Sequence, residues 1–182
     1  MNAAIDSGTW WQQIKQNDDR FIDWLKKQYH GEITAHKRIL AFIDAFAPIE
    51  ERWVLVLQII ANQELRHAKW VGKLLHTRGF TPALLEKEER CWDQTLGGID
   101  SFESGAAVAS HAERMRLERI RAITENEDAP EDVREVFLQI LPEEVFHEKA
   151  FRKMAGEDAM TRALENHLAG RAAIGLIPEA MV

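Results

Sequence analysis

The chain has 182 residues, 46% of them hydrophobic and 29% charged, which suits a single domain spanning 1–182 with a full core. Its net charge of -7 and pI near 5.5 come without a basic stripe, so nucleic acid is not an expected partner, while an acidic field favours entry of cations. Cys91 is the only cysteine; it excludes an internal disulfide, a thiolate zinc site and a four-thiolate iron centre, and fits a reducing cytoplasm. Met1 to Trp11 carries no basic segment followed by an apolar run, and no apolar stretch approaches twenty residues, so a cytoplasmic protein without a membrane partner is expected.

A short amphipathic segment carrying Trp10, Trp11 and Ile14 comes first. The first long helical pattern runs from about Asp18 to Ala47, with an inner seam of Phe21, Leu25, Gln28, Glu32, Ala35, Ile39, Phe42 and Phe46. Pro48 closes it and suits the first turn of a second helix, predicted from Pro48 to Arg78. The second seam reads Trp53, Leu57, Ile60, Glu64, His67, Val71 and Leu74, and Gly79 is a C-cap candidate. Thr81-Pro82 opens a predicted short helix through Trp92, before Gly97-Gly98. Asp100 or Ser101 caps a third long helix to about Asn126, with Phe102, Ala106, Ala109, Glu113, Arg116, Ile120 and Ile123 on one face. A fourth runs from Pro130 to about Ala155 through Val133, Phe137, Ile140, Glu144, His147, Phe151 and Met154. A short helix from about Glu157 to Arg171 and an apolar tail around Ile174, Leu176 and Ile177 follow; that tail and the paired tryptophans are expected to cover bundle ends or form a subunit contact.

The second half repeats the first. Glu64-Leu65-Arg66-His67 recurs as Glu144-Val145-Phe146-His147, 80 positions on, and the third helix follows the first at an offset of 81. Two repeated helical hairpins predict an all-α four-helix bundle. The hairpin midpoints, Pro48 and Asp128-Ala129, place Glu32 level with Glu64 and Glu113 level with Glu144. The long connection from Gly79 to Ile99 permits a crossover that leaves the second and third helices parallel.

Glutamate and histidine three apart lie one turn from each other on one helix face, so a single helix can offer a carboxylate and an imidazole to one ion. Chance gives about one such pair in a chain of this composition, but not two at matched seam positions with a level glutamate in each partner helix. Four ionised carboxylates in a core cost many kcal/mol unless neutralised. Two divalent ions would cancel them, and carboxylate and imidazole ligands without thiolate suit iron or manganese, with zinc also accommodated. The predicted metal set is Glu32, Glu64, His67, Glu113, Glu144 and His147.

The runs Asn62-Gln63-Glu64-Leu65-Arg66-His67-Ala68-Lys69 and Glu143-Glu144-Val145-Phe146-His147-Glu148-Lys149 resemble the ferritin-like diiron carboxylate proteins, most closely the rubrerythrin-like branch. The resemblance covers about Asp18 to Met154. It implies that Glu64 and Glu144 bridge two irons as the catalytic carboxylates, that His67 and His147 each bind one, and that Glu32 and Glu113 are terminal. It implies an oxidoreductase acting on dioxygen or peroxide, fed by an external electron donor, in a homodimer or higher homo-oligomer; manganese or a mixed iron–manganese pair would also serve. A substrate oxygenase, an iron-storing ferroxidase and a metal-free interaction protein are the alternatives. The chain departs from the family in lacking a rubredoxin module and in having Ser110 where an extra glutamate is expected, which weakens the case for efficient peroxidase activity.

Around this set, Gln28 is expected to donate to a ligand or water, Tyr29 to pack with a satisfied hydroxyl or serve a redox role, and His36 to flank the site. His30 and His111 sit two positions from a ligand and read as structural. Arg116 falls in the inner register and must either snorkel outward or pair with a carboxylate. Pro142, two residues before Glu144, is expected to kink or bulge its helix, and Cys91 beside Trp92 is expected to be inert.

Overall fold

A computed structural model of the chain describes residues 5–86 and 99–173. Five helices account for nearly all of it: α1 (Ser7–Lys15), α2 (Asp18–Ala45), α3 (Glu51–Thr77), α4 (Phe102–Thr124) and α5 (Glu131–Ala173). Among the described residues there is no extended sheet, and no helix is long and apolar enough to cross a membrane.

Each start has a local cause. Asp6 caps α1 by accepting from the Thr9 amide at 2.7 Å, and Asn17 caps α2 by accepting from Arg20 at 2.9 Å, with Asp18 and Asp19 in the first turn where the helix dipole favours anions. Ser101, not Asp100, caps α4, in a reciprocal box with Ser104. α3 ends in a Schellman turn: Gly79 takes φ 82, its amide donates to the His76 carbonyl, and the Phe80 amide donates to Leu75.

Several expected boundaries move. Pro48 does not open α3; it lies in the turn, after a cis Ala47–Pro48 peptide, and Glu50 is the N-cap. Residues 81–86 are not helical, so the expected short helix does not start at Thr81-Pro82. The rest of that predicted helix, Cys91, Trp92, Gly97-Gly98 and the tail residues Ile174, Leu176 and Ile177 lie outside the described residues. The fourth helix and the expected short helix after it are both present: α5 is two arms that meet at the non-helical Gly156 (φ 70, ψ 162), the second reaching Ala173. Only glycine adopts that backbone readily, so the bend is written at this one position. Pro142 does not break α5: the only non-helical dihedrals lie at Gly156, and Pro142 and Leu138, the residue whose carbonyl loses its partner, are both solvent-exposed.

Side-chain contacts fix the directions. Tyr29 meets Gly72 and His36 meets Ala61, so α2 and α3 run antiparallel. Ser110 faces Glu148 and Thr124 faces Arg134, so α4 and α5 do too. Gln63 meets His147 and Arg78 meets Asp132, which makes α3 antiparallel to α5. α3 and α4 therefore point the same way.

Two apolar clusters fill the interior. One contains Trp11, Phe21, Trp24, Leu25, Val71, Leu75, Ile120, Ile123, Val133 and Phe137. The other contains Ile39, Leu57, Ile60, Ala106, Phe151 and Met154. On every long helix the glutamates and histidines of the repeat fall between these clusters. The polar band thus sits mid-length, sealed at both ends. Trp11 is fully buried against Trp24 (5.1 Å between ring centroids), which places one tryptophan of the expected pair in the core.

Candidate metal centre

α2 contributes Glu32 to the band, α3 Glu64 and His67, α4 Glu113 and Arg116, and α5 Glu144 and His147. Glu32, Glu64, His67, Glu144 and His147 are at most 1% exposed; Glu113 is the least buried of the six predicted ligands. They form two overlapping groups, Glu32–Glu64–His67–Glu144 and Glu64–Glu113–Glu144–His147. Within each group one donor atom per residue lies within 4.8 Å of all the others. Glu64 and Glu144 belong to both. These buried groups can hold a metal ion.

The histidines are aimed. His67 turns Nδ1 inward, 3.3 Å from Glu144 Oε1, 3.7 Å from Glu32 Oε2 and 4.0 Å from Glu64 Oε2. Its outer nitrogen, Nε2, donates to Glu143 Oε2 at 2.8 Å, and Arg66 holds the other oxygen of Glu143. His147 likewise faces Glu64 Oε1 (3.0 Å) and Glu144 Oε2 (3.5 Å) through Nδ1, while Nε2 donates to Gln63 Oε1 at 3.0 Å. Each helix of the α3–α5 pair thus orients the imidazole of the other. Fixing the outer N–H leaves the inner nitrogen as the donor atom for an ion.

Glu32 Oε2, both oxygens of Glu64 and of Glu144, and Nδ1 of both histidines are buried without an aligned hydrogen bond. Buried polar atoms are normally satisfied, so seven orphans converging on one spot fit a cation site. Arg116 supplies part of the positive charge. Its Nη2 contacts Glu32 Oε1, and its Nε lies 2.9 Å from Glu144 Oε1.

The protonation pattern follows. Burial would raise all four carboxyls. At Glu144, Arg116 and the nearby imidazoles of His147 and His67 outweigh burial and hold the group well below its ordinary value; Arg116 and His67 lower Glu32 as well. Burial, reinforced by ionised Glu144, pushes Glu64 up to about 8 and Glu113 well above its ordinary range. Burial opposes charge on the histidines, but Glu144 and Glu32 raise His67 to about 10, and Glu144 and Glu64 raise His147. Protons and one guanidinium therefore do at neutral pH what metal ions would otherwise do.

The flanking predictions fare differently. His36 is turned to the α2–α3 hairpin, where Nδ1 bonds the Ala61 carbonyl at 2.7 Å. Tyr29 packs against Gly72 and the aromatic cluster. Gln28 is half-buried and makes no side-chain hydrogen bond among the described residues, so the expected donation to a ligand is not found. His30 accepts from the Leu85 amide, and His111 stacks on His167. Gln63 and Glu143, which the sequence reading gave no role, are the residues that orient the imidazoles. Their signal was present: they occupy the same repeat position, one before each shared glutamate.

Comparison with protein-family models, with curated proteins and with solved structures returned no match to the chain.

Proposed function

We propose that the chain is a ferritin-like four-helix protein that holds two redox-active ions, iron or manganese, and reduces or activates dioxygen or peroxide in the manner of a rubrerythrin-like oxidoreductase. The observation that carries the reading is the pair of overlapping ligand groups sharing Glu64 and Glu144, each closed by an inward Nδ1. A donor set in which two carboxylates serve both halves suits a dinuclear centre better than two separate ions. The parallel direction of α3 and α4 and the repeated hairpins support the fold assignment.

In this reading Glu32 and His67 complete one half of the centre, and Glu113 and His147 the other. When bound, the ions supply electron transfer and open coordination positions for the oxidant. The protein's own part is structural and electrostatic. Glu143 Oε2 and Gln63 Oε1 hold the outer imidazole protons in place, so each ring presents the same nitrogen throughout. The two apolar clusters exclude water above and below the band and lower the local dielectric. Glu113, on the less buried side, offers a carboxyl that can hold a proton at the edge of the site. Reduction of peroxide consumes two electrons and two protons per molecule, so an external reductant is required.

A cleft of about 480 Å³ near Gly156 is lined by Glu103, Ala155, Glu157, Asp158, Ala159 and Arg162 and by none of the six predicted ligands, so this cleft is not an apolar substrate channel beside the band. The test is anaerobic reconstitution with ferrous iron, then exposure to oxygen or to peroxide, followed by optical and Mössbauer spectroscopy. Faster oxidation by peroxide supports the peroxidase form and faster oxidation by oxygen an oxidase. Bound iron inert to both overturns the reading.

A further inference from the structure

We propose that Arg116 is a built-in stand-in for one ion, so that the two halves of the centre load in a fixed order, with the Glu113/His147 half first. The inference rests on the dinuclear reading and deepens it. Its basis is which oxygens the guanidinium covers. Nη2 sits on Glu32 Oε1, and Nε sits 2.9 Å from Glu144 Oε1. Both residues belong to the group closed by His67, and Glu144 Oε1 is the oxygen that faces His67 Nδ1 at 3.3 Å. The guanidinium approaches Glu144 at Oε1, whereas Oε2 is the oxygen facing His147, and among the described residues Arg116 forms no ion pair with Glu64. Arg116 therefore blocks one half and leaves the other open.

With Arg116 in place, four carboxylates and one divalent ion sum to about -1 and with two ions to about +1, so charge alone does not set the order. Occupancy does: filling the His67 half requires the guanidinium to leave the oxygens of Glu32 and Glu144 that the ion would take. It has somewhere to go: its side chain is 20% exposed, whereas Glu32 and Glu144 are fully buried. An arginine stem can extend to solvent without stranding its charge. Glu143, behind His67, does not reverse the order, because Arg66 already pairs with it.

The test uses manganous ion, which stays divalent in air and reports by electron paramagnetic resonance whether it is isolated or coupled to a second ion. Chelator-treated wild-type protein is titrated with manganous chloride alongside Arg116→Gln and Arg116→Lys, following heat and resonance together. For the wild type we expect one isolated ion per chain first, then a second ion bound at least tenfold more weakly whose arrival produces the coupled spectrum. In Arg116→Gln the two steps should draw together by at least fivefold, with the coupled spectrum appearing at lower metal. Arg116→Lys keeps the charge but cannot cover two carboxylates at once, and should lie between them. If Arg116→Gln does not fold, the wild-type and lysine titrations still decide. Simultaneous loading of both ions in the wild type, or an unchanged gap in a folded variant, overturns the proposal. No binding by any of the three proteins would instead overturn the dinuclear reading itself.

Discussion

Replacing Glu64 by glutamine should stabilise the metal-free protein while destroying its response to metal. Glu64 is buried between Glu144, Glu32 and His147, and burial with the charge of Glu144 raises its carboxyl from an ordinary 4.5 to about 8. An acid whose folded pKa lies above its unfolded value contributes stability that is complete below the unfolded value and is lost as pH rises through the folded one. Between pH 4.5 and 7 that loss amounts to about 3 kcal/mol, at about 1.4 kcal/mol per pH unit. Glutamine cannot ionise, keeps an oxygen to accept from His147 Nδ1, and adds an N–H toward the neighbouring acceptors. Screening by water on the Glu113 side reduces the gain to about 2 kcal/mol. For a chain of this length that is about 4–8 °C in Tm. The assay is a thermal melt at pH 7 after chelation, with and without excess manganous ion. We expect the variant to melt higher than wild type without metal, and only the wild type to gain on metal addition. A variant that melts several degrees lower without metal would refute the claim that burying Glu64 at pH 7 carries a protonation cost.

Because Glu64, His67 and His147 hold protons that an ion must displace, metal binding should release protons and tighten as pH rises from 6 to 8, by up to about tenfold per pH unit for each proton released. Calorimetry in two buffers of different ionisation heat measures this, and pH-independent affinity would contradict it. His167 stacks on His111 at 4.3 Å, and burial, followed by the charges of His111 and Arg171, lowers it to about 4. Its unfolded form protonates near 6.5, so stability should fall as pH drops from about 6.5 toward 4, by at most about 3 kcal/mol. His167→Phe should flatten that part of the stability profile; an unchanged profile would refute the assignment. In α4, a methyl group on Gly105 would overlap Phe42 Cε2 and meet Phe42 Cζ at 3.0 Å and Ile99 Cγ2 at 3.2 Å. Gly105→Ala should therefore lose about 1 kcal/mol net, since overpacking of about 2 kcal/mol exceeds the gain of about 1 kcal/mol in helix propensity. A more stable variant by denaturant unfolding would refute that packing.

That these six residues meet in one band was legible because helical periodicity and the 80-residue repeat are long-range regularities that no single residue can disturb. Counting outward from the turns put Glu32 level with Glu64 even though the turn itself was misread, since shifting the start of α3 from Pro48 to Glu51 leaves the midpoint unchanged. What failed depended on side-chain direction or on local backbone. Gln28 and His36 share the register of Glu32 to within a turn, but His36 found a carbonyl across the hairpin and Gln28 no side-chain hydrogen bond among the described residues. Pro142 looked disruptive because a proline removes one hydrogen bond, and only the fold shows that the freed carbonyl, on Leu138, belongs to an exposed residue. The break at Gly156 and the helix after it were legible, because a glycine between two helical patterns marks the bend. Arg116 was placed in the inner register by sequence, but its choice between solvent and carboxylate is a three-dimensional balance.

The most direct measurement is the metal content of the purified chain after anaerobic loading with ferrous iron and removal of free metal, read by elemental analysis beside Glu144→Ala. The account predicts two ions per chain in the wild type at saturation and loss of both in the variant, because Glu144 serves both halves of the site. A wild-type chain that retains none, or a folded Glu144→Ala chain that retains two, would contradict it.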